Sequence, residues 1–211
     1  MVRFITIEGG DGTGKSTQIR SLESYLMQRG FACVMTREPG GTALGSLIRK
    51  VLLEVSSHEI ASSTELFLYL ADRAQHVNEV ILPALKSDKI VLCDRFTDST
   101  VAYQGYGRGI ELGLLRQLND IADQGVHPDL TILLDCPVSV GLARTARRQT
   151  AAGRRQEDRF ECEKIEFHEK VRAGFLEMAR TEPERFRIVD ATPSSEEVTL
   201  RIKRIIDREL P

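Results

Sequence analysis

The sequence predicts an α/β fold in which one five-stranded parallel sheet carries helices on both faces. Three observations predict it. Short apolar, β-branched runs alternate with longer stretches of helical periodicity along nearly all 211 residues, the pattern of repeated βαβ units. No internal repeat or linker interrupts that alternation, so residues 1–211 read as a single domain. With 41% hydrophobic residues, 28% charged residues and seven prolines, the chain can bury a core and does not have the make-up of a disordered one.

Each element has its own signal. Arg3–Ile7 is the first strand candidate, and Leu22, Leu26 and Arg29 continue a helix that opens near Lys15. Cys33–Thr36 is the second strand. Leu66, Leu70, Val77 and Ile81 mark a longer helix, expected to stop near Pro83 because proline lacks the N–H that a helix interior needs. Ile90–Cys93, Leu130–Leu134 and Arg187–Val189 supply the third, fourth and fifth strands. The closing helix starts at Ser194-Ser195-Glu196-Glu197, a capping box, and carries Val198, Ile202, Ile205 and Ile206 on one face.

Charge and cysteine usage exclude several classes. Twenty-nine Lys and Arg against 31 Asp and Glu leave a net charge of −2, without the broad basic field of a nonspecific nucleic-acid binder, so any anion site must be local. Glu8 cuts the amino-terminal apolar run short of a secretory signal, and no run reaches a membrane span. Cys33, Cys93, Cys136 and Cys162 are widely spaced with no C-x-x-C, which reads as a reduced, cytoplasmic protein. His58, His76, His127 and His168 show no metal-ligand spacing.

Directly after the first strand stands Gly9-Gly10-Asp11-Gly12-Thr13-Gly14-Lys15-Ser16-Thr17, a full G-x-x-x-x-G-K-[ST] phosphate loop between a strand and a helix. Glycines let the backbone N–H groups ring a phosphate, and the helix opening near Lys15 adds the positive end of its dipole. Lys15 is expected on the β- and γ-phosphates of ATP and the Ser16 hydroxyl on Mg²⁺. No guanine-reading N-K-x-D follows, which leaves a motor ATPase, a nucleotide sensor and a small-molecule kinase open. A kinase needs a second anion site. The third strand ends Cys93-Asp94-Arg95, at the carboxyl edge where α/β proteins bind ligands, so Asp94 can serve the metal and Arg95 can grip a phosphate. Arg37 and Arg73 alone read as solvated arginines.

Taken together, the phosphate loop with Asp11, Arg37-Glu38-Pro39-Gly40-Gly41-Thr42, Ala71-Asp72-Arg73-Ala74-Gln75-His76-Val77, the run Asp94 to Gly105, and Pro128-Asp129-Leu130 with Leu134-Asp135 resemble the bacterial thymidylate kinases. The resemblance implies a P-loop nucleoside monophosphate kinase that moves the γ-phosphoryl group of ATP to dTMP with Mg²⁺, and a homodimer. It implies that Asp11 positions the deoxyribose, Arg95 with Arg37 nearby holds the acceptor phosphate, and Arg73 reads the thymine edge. Tyr69 stands where the family usually has a phenylalanine stacked on thymine. Ser99, Thr100 and Gln104 join the substrate wall, and Tyr103 crowds a ribose 2′-hydroxyl. Lys15, Arg95 and Asp11 become catalytic. No general base is needed, because the attacking oxygen belongs to an ionised phosphate.

One stretch breaks the apolar rhythm: residues 147–159 carry no large apolar side chain, and Arg144, Arg147, Arg148, Arg154, Arg155 and Arg159 fall within sixteen residues. A solvated face and a nucleic-acid patch are two readings, the second opposed by the absence of interleaved aromatics. The third is a lid that closes over ATP and brings in an arginine. The phosphate loop here has no arginine of its own, which resembles the lid-type thymidylate kinases; Arg148 is the first assignment and Arg154 the second, because Gln149–Gly153 are inserted.

Overall fold

A computed structural model of the chain describes residues 2–54, 59–151 and 159–210. Five parallel strands, β1 (Phe4–Glu8), β2 (Cys33–Arg37), β3 (Ile90–Asp94), β4 (Leu130–Asp135) and β5 (Phe186–Asp190), pair in the order β2-β3-β1-β4-β5. Buried on both faces, the central strands are largely apolar, as suits a parallel sheet, and the two buried threonines within them, Thr6 and Thr131, pair hydroxyl to hydroxyl at 2.8 Å. Ile5 and Ile7 face the cluster built with Leu22 and Leu26 of α1 (Lys15–Gln28) and Ile202 and Ile206 of α9 (Ser195–Glu209). Phe4 turns the other way, to Val77, Ile81 and Phe96.

The second face is covered by α3 (Ser62–His76), α4 (Leu82–Lys86), α5 (Thr97–Thr100), which continues as a π-helical stretch Val101–Gly107, and α8 (Ile165–Thr181). Two further helices, α2 (Ala43–Leu53) and α6 (Leu112–Asp123), pack beside α3. They start on caps that are plain in hindsight: Thr42 Oγ1 accepts the Gly45 N–H at 2.9 Å, and the Glu111 carboxylate accepts those of Gly113 and Leu114. The last, α7 (Val138–Ala151), leaves the end of β4.

The helix from Ser62 does not stop at Pro83. It runs through a π-helical turn, Val77–Ile81, into α4, where Pro83 occupies the first turn. Widening the turn to an i→i+5 pattern removes both the missing donor and the ring clash that would otherwise end the helix. The capping box of α9 is half formed: Ser194 Oγ accepts the Glu197 N–H at 3.3 Å, while the Glu197 carboxylate pairs with Arg201 at 2.6 Å. None of the four cysteines is in a disulfide, and no helix among the described residues is long and apolar enough to cross a membrane.

Every strand ends at its carboxyl edge in a charged residue: Glu8, Arg37, Asp94, Asp135 and Asp190. The strand order reverses around β1, and open α/β sheets hold ligands at that edge.

Candidate active site

The turn from β1 to α1 is possible only with glycine. Gly9 (φ 137°) and Gly12 (φ 74°) lie in the left-handed region, and a Cβ on Gly12 would come within 2.0 Å of the Gly141 carbonyl oxygen on α7. Thr13 Oγ1 closes the loop on the Gly10 carbonyl at 2.9 Å. Lys15 curls back, its Nζ donating to the carbonyls of Gly9 (2.9 Å) and Gly10 (2.7 Å). Burial, and then repulsion from Arg95, bring its pKa down to about 8, so the amine is held poorly until an anion arrives. Beside it, Ser16 Oγ donates to Asp94 Oδ2 at 3.0 Å. That pair is an oxygen-only donor set with one carboxylate. Among the described residues no cluster of three or more His, Cys, Asp or Glu could hold a metal alone, so the fit is to a hard cation whose other ligands are phosphate oxygens and water.

The loop opens onto a cleft of about 630 Å³. Asp11, Gly12, Gly14, Lys15, Ser16, Thr17, Arg37, Tyr69, Arg73, Asp94, Arg95, Ser99, Thr100, Tyr103 and Gln104 all line it, so most of the residues singled out from the sequence converge there. Gly9, Gly10 and Thr13 instead border a smaller hollow of about 20 Å³ behind the loop.

Arg95 is the hub of the hydrogen-bond network beside the loop. Its Nη2 donates to Asp11 Oδ1 at 2.7 Å and to the Tyr103 hydroxyl at 3.1 Å, and Nη1 to the Gly9 carbonyl and Ser99 Oγ, both at 3.1 Å. Tyr103 in turn donates to Asp11 Oδ2 at 3.1 Å. Burial works against the Asp11 carboxylate, but Arg95, Lys15 and the buried His168 of α8, 4.0 Å away, outweigh it and hold its pKa below the usual range. Burial likewise opposes the charge on Arg95, and Tyr103, Asp11, Glu8 and Asp94 overcome it.

Arg73, which alone reads as a solvated arginine, is 1% exposed. Its Nε donates to Glu38 Oε2 (2.9 Å), Nη1 to Asn119 Oδ1 (2.6 Å) and Nη2 to Thr100 Oγ1 (3.0 Å), and the guanidinium lies over the Phe96 ring at 5.2 Å. Glu38 continues the network through its Oε1 to His76 Nδ1 (2.9 Å), and His76 Nε2 reaches Thr36 Oγ1. Nearby, burial and then Glu38 push Asp72 up to about 6. Tyr69, half-buried, tilts toward Phe160 at 6.4 Å, and Tyr103 meets the same ring edge-on at 5.5 Å. Gln104 Nε2 donates to Glu65 Oε1 at 2.8 Å. Arg37 stands exposed at the rim.

The arginine-rich stretch divides. Arg144 donates to the carbonyls of Ala191 and Thr192, and Arg159 pairs with the buried Glu65 at 2.7 Å and donates to the Leu52 carbonyl. Both are therefore fixed to the body of the fold. Arg147 is exposed on α7; the Arg148 side chain, and Arg154 and Arg155 with the rest of 152–158, lie outside the described residues. Sequence reasoning missed Glu8, Glu38, Glu65, Asn119 and His168 as members of the site. Glu38 sits inside a motif already singled out; Asn119, on an amphipathic helix, gives no local signal.

The sequence profile of the family described as Thymidylate kinase matches residues 7–202. The thymidylate kinase of Desulfovibrio desulfuricans is 54% identical over 208 residues, 98% of this chain and 96% of that protein. That of Pelobacter propionicus is 54% identical over 197 residues, 93% of this chain and 90% of its own length. The crystal structure of thymidylate kinase from Ehrlichia chaffeensis superposes with a TM-score of 0.78 at 34% identity, covering 96% of this chain and 97% of that one. With a phosphate loop and a buried arginine wall in one cleft, and similarity along nearly its whole length, this chain belongs to the thymidylate kinase family.

Proposed function

We propose that the chain transfers the γ-phosphoryl group of ATP to the phosphate of dTMP, giving ADP and dTDP on the way to dTTP. The observation that carries this reading is the single cleft in which the Lys15 loop and Arg95, at the ends of the neighbouring strands β1 and β3, face the Arg73 wall. Two anions that repel each other must be brought into line, and catalysis of that kind is positioning plus charge stabilisation.

The residues divide the work. Backbone N–H groups of residues 9–17 and the start of α1 cradle the ATP phosphates, and Lys15 exchanges its carbonyl partners for them. Mg²⁺ would be held by Ser16 Oγ and, on the other side of their hydrogen bond, by Asp94; when bound it neutralises charge on the phosphates. The dTMP phosphate takes the fork of Arg95 now given to Asp11, with Arg37 at the rim, and frees Asp11 to accept a hydrogen bond from the deoxyribose. Tyr103, bonded to both Arg95 and Asp11, leaves little room for a 2′-hydroxyl. Arg73, with Thr100 and Gln104 beside it, reads the base edge, and Tyr69 offers the stacking face. Arg148 of α7, in a lid over residues 147–159, supplies the cation that meets the transferring group; the Gly12–Gly141 contact joins that helix to the phosphate loop.

We infer a homodimer as well. Leu44, Leu47 and Val51 of α2, Phe67 of α3, and Leu114 and Ile121 of α6 are exposed on three adjacent helices, an apolar face suited to a second copy. Light scattering on the protein and on Phe67→Glu tests it: a dimer that becomes a monomer is expected, and a monomeric parent refutes it.

A coupled ADP-release assay with ATP and Mg²⁺, comparing dTMP, dUMP, dCMP, dGMP and no acceptor, tests the reaction. Turnover that depends on dTMP is expected. Equal turnover without acceptor would leave the phosphate loop correctly read and the acceptor site misread.

A further inference from the structure

We propose that Glu8 is a positioning residue for the phosphate-gripping arginine: its carboxylate holds the backbone and side chain of Arg95 in the conformation that faces the cleft. The proposal rests on the reading of Arg95 as the acceptor-phosphate clamp.

Glu8 is the last residue of β1 and is fully buried. A buried carboxylate is costly unless its lone pairs are used, and both of its oxygens are used on one short segment. Oε1 accepts the backbone N–H of Phe96 at 2.7 Å, and Oε2 accepts the Ser99 hydroxyl at 2.7 Å. Ser99 has one hydroxyl proton and gives it to Glu8, so its lone pairs are turned to Arg95, whose Nη1 donates to Ser99 Oγ at 3.1 Å. On the other side the Arg95 N–H donates to the Ile7 carbonyl at 3.1 Å. Residues 7 and 8 thus pin the peptide groups on both sides of Arg95, and Glu8 reaches its guanidinium through Ser99.

Arg95 needs that restraint. Its φ of 71° lies in the left-handed region, unfavourable for an L residue with a long side chain, and such a conformation persists only where the surroundings over-determine it. Left free, the residue would relax to the extended conformation of the strand it follows and aim its guanidinium elsewhere. Among the described residues, the hydrogen bonds to the carboxylate come from Phe96 and Ser99 alone.

The charges around Glu8 give a second readout. Asp98 of α5 faces it, itself paired through both oxygens with Arg185, and so do Arg95 beyond the end of β3, Cys93 within it, and Lys15 of α1. Burial, and then Asp98, raise Glu8 to about 7, so the carboxylate is complete only above neutrality. A protonated acid gives up one acceptor and loosens the hold.

The test is steady-state kinetics on Glu8→Ala, Glu8→Gln, Arg95→Ala and the double variant Glu8→Ala/Arg95→Ala, each first checked for folding by circular dichroism. Glu8→Ala is expected to raise KM for dTMP by about tenfold or more while KM for ATP moves less than about threefold, and to add little in the double variant, because the arginine it serves is gone. Glu8→Gln, near-isosteric and able to keep the Phe96 bond, keeps the proposal testable if the alanine variant does not fold. Its KM for dTMP, divided by that of the parent at the same pH, should be near one at pH 6 and rise to about threefold or more at pH 8. Equal effects of a Glu8 variant on both KM values, multiplicative effects in the double variant, or a pH-independent ratio for Glu8→Gln would each overturn the proposal. A normal KM for dTMP in Arg95→Ala would overturn the clamp reading, and the proposal with it.

Discussion

Arg73 and Arg95 enter one cleft from α3 and from the end of β3, and their surroundings differ in kind. Arg73 is sealed: Glu38, Asn119 and Thr100 each hold one nitrogen, and Phe96 covers the face. Arg95 keeps 18% of its side chain exposed and shares its fork between a carboxylate and two hydroxyls that border the open cleft and the Gly9 carbonyl behind it. On the proposed roles, a group that reads a base edge must not move, and the partners of Arg73 are buried with it. On the same proposal, a group that grips a phosphate needs partners it can exchange, and Asp11 would stand in for the anion until one arrives.

A third arginine sharpens the comparison. If Arg148 meets the phosphoryl group only in the transition state, Arg148→Ala lowers kcat by about 10³-fold or more while KM for dTMP stays within about threefold; a normal kcat would remove it from the mechanism and turn attention to Arg154.

The sealed partner should matter to folding and the exchangeable one should not. Glu38→Gln leaves the Arg73 guanidinium buried without its counter-charge and is expected to cost about 3 kcal/mol, a fall in Tm on the order of 10 °C. Asp11→Asn, at a site where Arg95 keeps three other acceptors, should shift Tm by less than about 3 °C while lowering kcat/KM for dTMP. Calorimetric scans of the two variants decide it, and equal Tm shifts would break the distinction.

The smallest effect concerns Lys15, whose pKa is held at about 8 against 10.5 in an unfolded chain. Below 8 the amine is charged and attracts phosphate; above it the charge is lost, so kcat/KM for ATP should fall several-fold as pH rises through about 8. Stability moves oppositely. Between about 8 and 10.5 the unfolded chain holds the extra proton, so the Lys15 contribution to stability grows with pH. Parallel pH scans of activity and unfolding check both signs.

How much of this was legible depends on the range of each signal. The five strands were legible because apolar runs are local, yet each was read one residue short of its end. The structure carries every one of them on to a charged residue, since ladder hydrogen bonds are made by the backbone whatever the side chain: Arg37 pairs with Asp94, and Asp135 with Asp190. Two of those ends, Arg37 and Asp94, line the cleft. The phosphate loop was legible because all its parts lie within nine residues. The Arg73 seal was not, because Glu38 and Asn119 reach it from 35 and 46 residues away. Pro83 misled because a π-helical turn absorbed it. In the arginine-rich stretch, density gave no hint that Arg144 and Arg159 are tied to backbone carbonyls and to Glu65.

The most direct test of the division between the two arginines is calorimetric binding of dTMP and of thymidine, which lacks the phosphate, to the parent protein and to Arg95→Ala. The parent should favour dTMP over thymidine by about 100-fold, and Arg95→Ala should bind the two within about threefold of each other, with affinity for thymidine unchanged. An Arg95→Ala protein that still prefers dTMP as strongly as the parent would place the phosphate elsewhere and contradict the account.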